Sequence, residues 1–150
     1  MIIAITRSDG GVSIMRLVAG ADPTEAVAKW EAVNGPAVSS REIPDTVIPT
    51  DRTFRDAWQH GGTSIDVDMP KARAIHAEKI AVAQTAEIAR LKPEERKERL
   101  MGNTAQANQH AADTTALEAL NLGALATQIQ NAATPNALKA IWPAKVPKLP

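Results

Sequence analysis

Thr63-Ser64-Ile65-Asp66-Val67-Asp68-Met69-Pro70-Lys71-Ala72-Arg73 changes its period half-way along. Ile65, Val67 and Met69 alternate with Ser64, Asp66 and Asp68, the two-residue repeat of a strand with one face buried. From Lys71 to Leu91 there is no glycine or proline, and the apolar spacing becomes helical. Ile75, Val82, Ala86 and Ala89 form one stripe; Ile80, Ile88 and Leu91 form its neighbour. Asp68 is placed to cap this helix, and Pro70 suits its first turn, where a missing N–H costs nothing. The chain therefore reads as strands before residue 70 and helices after it.

Upstream, Gly61-Gly62 marks the turn of a hairpin whose first strand is expected over Thr53–Trp58. Residues 36 to 52 hold Pro36, Pro44 and Pro49, which exclude helix and demote Val38–Ile43 to an edge strand. Before them, Asp22 or Thr24 caps a short helix carrying Ala26, Val27, Trp30 and Val33, stopped by Asn34-Gly35-Pro36. The first residues form another hairpin, Ile2-Ile3-Ala4-Ile5 and Val12–Leu17 around Ser8-Asp9-Gly10-Gly11. Downstream, Pro93 predicts an interruption of the long helix, and Gly102-Asn103-Thr104 a second break. Thr134-Pro135 opens a last short helix, followed by Pro143, Pro147 and Pro150.

The expected fold is α+β. A small N-terminal antiparallel β-hairpin domain with a short helix is followed by long C-terminal α-helices and an extended proline-rich tail. The expected divisions are a β-rich docking domain over 1–69, an alanine-rich helical region over 70–131, and a short helix with a partner-binding tail over 132–150.

Composition narrows the function. Seventeen Lys and Arg balance seventeen Asp and Glu, which argues against nucleic acid as the main partner and against an anionic membrane surface. No cysteine is present, so disulfides, cysteine zinc sites and thiol nucleophiles are excluded. No apolar run approaches the roughly 20 residues of a membrane span. Met1–Arg7 lacks the basic start and cleavage site of a signal peptide. Hydrophobic residues are 44% but aromatics only 3%, so much of the apolar content is alanine, which buries little area.

Candidate chemistry is thin. His76-Ala77-Glu78 matches half of a zinc-deaminase signature, but the paired cysteines of the other half are missing. His60, His76 and His110 are too far apart to share a helix face. Asp66 and Asp68 share a strand face without a calcium-loop pattern and read as outward polar positions. Lys92 to Arg99 interleaves bases with acids, as a solvated helix face does. No catalytic residue, metal ligand or cofactor is expected, and the protein is read as non-enzymatic.

The three tryptophans stand out. Trp30 and Trp58 are expected to anchor the N-terminal core with Phe54, Ile65, Val67 and Met69. Trp142 lies between a short helix and a proline-rich end, and tryptophan is enriched at binding hot spots. Leu138, Ile141, Trp142, Pro143, Val146 and Pro147 are therefore the candidate partner-binding residues. The alanine stripes suit close helix packing in a homo- or hetero-oligomer.

Three patches carry a resemblance: Gly10-Gly11-Val12-Ser13; Thr50 to Trp58 with Val67 to Arg73; and Thr134 through Pro143. They resemble small proteins of the tail module of tailed bacteriophages and prophages. The Thr-Pro…Trp-Pro ending is similar to the C-termini of phage tail and tail-fibre assembly proteins. The resemblance covers about half the chain and leaves the middle helices unanchored. It implies a minor structural protein of the virion, assembled in the host cytoplasm, at the tail, baseplate or fibre. Its partners would be other phage structural proteins. The alternative is a tail or tail-fibre assembly chaperone absent from the mature particle. The family supplies no catalytic residues.

Overall fold

The computed structural model describes residues 1–148. The fold is mixed α and β, with a three-stranded and a two-stranded antiparallel sheet and five α-helices among the described residues. The chain divides into two compact units, Met1–Ala72 and Arg73–Pro150. The division falls in the first turns of the long helix. The C-terminal segment expected to stand apart from residue 132 belongs to the second unit.

In the first unit, β1 (Ile2–Thr6) is the central strand, flanked by β2 (Val12–Arg16) and β3 (Ser39–Glu42) in the order β2-β1-β3. Both edges of β1 are paired, and Ile2, Ile3, Ala4 and Ile5 are all buried, so side chains on both its faces are removed from water. Each fully buried isoleucine contributes roughly 1.5–3 kcal/mol. Ile2 and Ala4 join Val12, Ile43, Ile48, Trp58 and Ile65 in the main core.

The first turn uses residues chosen for it. Gly10 has φ +76°, Arg7 N–H donates to Gly11 O at 2.8 Å, and Asp9 Oδ1 accepts from Gly11 N–H at 2.9 Å. Helix α1 (Pro23–Asn34) follows, with Asp22 accepting from Thr24 N–H at 2.8 Å as its cap. None of its residues is fully buried. β3 lies at the sheet edge with all four residues exposed. Its composition, Ser-Ser-Arg-Glu, discourages further strand pairing.

The second hairpin is displaced from the expected position. β4 runs Trp58–Gly61 and pairs with β5 (Ser64–Val67), so Trp58 opposes Val67 and His60 opposes Ile65. Thr53–Ala57 is not strand. Asp51 Oδ1 accepts from the backbone and hydroxyl of Thr53, and Arg55–Ala57 forms a 3-10 turn. These local bonds take backbone groups that a strand ladder needs. Met69, expected to end the strand, is instead the first residue of α2 (Met69–Leu100).

α2 has 32 residues, about 48 Å at 1.5 Å rise per residue. Asp68 caps it as expected, accepting from Lys71 N–H at 3.1 Å. Pro93 does not break it, contrary to expectation. An internal proline costs a helix about 3 kcal/mol. Here Leu91 is buried just before it, and the residues after it are good helix formers paired along the surface, Lys97 with Glu94 and Arg99 with Glu95. The helix ends where Gly102 takes φ +77°.

The second unit continues with α3 (Thr104–Glu118), α4 (Leu122–Asn131) and α5 (Pro135–Ala140). Gln84 donates to Leu117 O at 2.6 Å, and Arg73 Nη2 to Ala132 O at 2.8 Å. These pairings make α3 and α4 the return arm of a helical hairpin on α2.

Candidate functional site

The expected partner-binding segment begins at α5. Thr134 caps this helix by accepting from Ala137 N–H at 3.2 Å, and Pro135 occupies its first turn. Leu138 is fully buried. Beyond the helix the chain does not extend as a free tail. Val146 N–H donates to Pro143 O at 3.1 Å, closing a turn, and Trp142 Nε1–H donates across it to Val146 O at 2.7 Å.

His76 on α2 holds the start of this turn. Its Nε2 donates to Ile141 O at 2.7 Å, which requires the proton on Nε2. Its ring meets Trp142 edge to face, with centroids 5.7 Å apart and planes at 69°. Val146 is buried in a cluster with Ala83, Leu91 and Leu117, against which Trp142 packs. Lys145 pairs with Asp113 at 3.4 Å.

Of the six candidate partner-binding residues, Leu138, Pro143 and Val146 are therefore interior. Ile141 and Trp142 are half-buried, and only Pro147 is exposed. In place of the expected extended proline-rich tail, the described residues after α5 form a strap folded onto the helices of their own unit. The reason is room: alanines such as Ala83 leave space on α2 that larger side chains from the C-terminal segment fill. The last two residues of the expected tail, Leu149 and Pro150, lie outside the described residues.

Of the expected core residues of the first unit, Trp58, Ile65 and Val67 meet in its main core. Phe54 is buried, and Met69 is half-buried at the start of α2. Trp30 lies outside that core. It is half-buried and lines a surface recess with arginines. No sequence signal gathered those arginines, because they come from separate segments.

Trp58 Nε1 and both ring nitrogens of His60 are buried without a hydrogen-bond partner among the described residues. Desolvation, and then the charge of Arg41, push the His60 pKa below its ordinary value. Asp66 accepts from Ser64 Oγ at 2.9 Å, and Asp68 is spent on the helix cap. No group of three or more metal-ligating side chains is assembled among the described residues. No helix of the described residues is long and apolar enough to cross a membrane.

Among the described residues of the second unit, the most exposed large apolar side chains stand at the α2–α3 turn. Leu100 is 83% exposed and Met101 64%. The turn is firmly closed: Met101 N–H donates to Lys97 O at 3.0 Å, and Asn103 reaches Glu98 twice, from its backbone at 2.9 Å and its side chain at 2.6 Å. The hydrophobic pair is thus held in solvent by a hydrogen-bonded turn.

No family model, curated protein or solved structure matches this chain.

Proposed function

We propose that this chain is a non-enzymatic minor structural protein of a tailed-bacteriophage virion, at the tail, baseplate or fibre, that works by docking onto neighbouring structural proteins. The phage assignment rests on the sequence patches Gly10–Ser13, Thr50–Trp58 with Val67–Arg73, and Thr134–Pro143. The docking half rests on one observation, the Leu100–Met101 pair displayed by a closed helical turn. Adjacent exposed apolar residues on a rigid tip are what a partner's groove buries.

Quantitative mass spectrometry of purified particles tests the assignment. A fixed ratio to a major tail or capsid protein is expected. Absence from particles, with abundance in infected cells, would instead favour the assembly chaperone. Replacing the tip by Leu100→Ser with Met101→Ser should cut incorporation at least tenfold. Surface changes of this kind usually alter stability by less than about 0.5 kcal/mol. Unchanged incorporation would remove the tip from the reading.

A further inference from the structure

Residues 1–72 are acidic overall, with seven Lys and Arg against ten Asp and Glu. Yet four of the five arginines in that unit, Arg7, Arg16, Arg52 and Arg55, line a single recess of about 520 Å³. Trp30, Ser13 and Asp56 share its wall. Neutrality over the whole chain conceals this local concentration of guanidinium groups.

The four arginines are not equivalent. Arg7 is committed to the hairpin, donating to Asp9 Oδ1 at 3.1 Å and to Ser13 Oγ at 3.3 Å. Arg16 holds Asp45 at 2.6 Å. The side chains of Arg52 and Arg55 make no hydrogen bond or ion pair among the described residues. Two exposed forks are thus left open beside an aromatic wall.

We propose that this recess binds a nucleotide unit, with Arg52 and Arg55 on its phosphate and Trp30 against its base. A guanidinium fork matches two phosphate oxygens at once, and its charge persists at every physiological pH. A nucleobase stacks on an indole ring whatever its sequence. Asp56 supplies an acceptor for a ribose hydroxyl or an exocyclic amine. The volume lies within the range of small-molecule sites, about 300–1,000 Å³. A ligand bearing carboxylates alone would leave Trp30 unused. The same chemistry is presented by a free nucleotide and by one residue of a single strand.

Calorimetric titration of the full chain at low salt tests this. The probes are deoxyadenosine monophosphate, inorganic phosphate, a twelve-nucleotide deoxyadenosine strand and hexaglutamate. The monophosphate should bind at least tenfold more tightly than inorganic phosphate. The double variant Arg52→Gln with Arg55→Gln should weaken it at least tenfold with the unfolding temperature unchanged, since both side chains are exposed. Trp30→Leu should reduce the monophosphate to the affinity of phosphate. A strand binding more than tenfold better than the monophosphate identifies single-stranded nucleic acid as the source, and equal affinities identify the free nucleotide. The proposal is overturned by no monophosphate binding at millimolar concentration, by affinity indifferent to the double variant, by a base preference that survives Trp30→Leu, or by tighter binding of hexaglutamate.

Discussion

Residues 1–72 bury six isoleucines together with Phe54 and Trp58. The second unit, of similar length, buries six Ile, Leu and Val side chains among the described residues, and each unit also buries three alanines. No phenylalanine or tryptophan is fully buried there. The first unit gathers its core from β1 and from large side chains on neighbouring segments, Val12, Ile43, Ile48, Trp58 and Ile65. The second is built on long helices whose alanines bury little area each, so it draws large side chains from elsewhere in the sequence. Two of its six larger buried aliphatics, Leu138 and Val146, come from the C-terminal strap. A strand covered on both faces buries successive side chains on alternate sides. An alanine-rich helix leaves grooves that another segment must fill.

The sharpest way to break this contrast is to remove the strap. Truncation after Asn131 should abolish the cooperative unfolding of the second unit and its amide protection, while the protection of β1 and β2 persists. Hydrogen exchange reads both at once, and a still-protected α2 would show that the helices need no strap.

Single cavities come next. Leu138→Ala and Ile5→Ala each empty a fully buried site and should each cost about 2–5 kcal/mol. Denaturant titrations followed by exchange should place the first loss in the second unit and the second in the first.

A smaller effect isolates the turn in the strap. Trp142→Phe keeps a ring beside His76 but deletes the donor to Val146 O, and should cost about 1 kcal/mol. An unchanged midpoint would mean that packing alone holds the turn.

The smallest effect is a pH slope confined to the first unit. The His60 pKa is depressed on folding, so the unfolded chain binds more protons just below the ordinary histidine range. Stability should therefore be full above about pH 6.5 and decline as pH falls through the unfolded pKa towards the folded one. His60→Gln should flatten that window. Asp9, held below the carboxylate range by Arg7 and the Gly11 N–H, and Asp45, held there by Arg16, should still cause losses in more acidic solution.

The sequence by itself determined the features whose causes lie within a few residues. Asp9-Gly10-Gly11 closes a hairpin, Asp22, Asp68 and Thr134 cap helices, and Gly35 and Gly102 end them. Each is a local contest between a side chain or a positive φ and the adjacent backbone. Tertiary structure decided what depends on distant segments. Trp142 reads as part of an extended tail until His76, 65 residues before Ile141, is seen to hold the strap from α2. Pro93 reads as a break until Leu91 is seen buried beside it in a continuous helix. Arg7, Arg16, Arg52 and Arg55 read as scattered charge until three segments of chain set them around one recess with Trp30. Periodicity and capping carry no information about which distant face a side chain meets. That choice is made by burial and packing among segments the fold brings together.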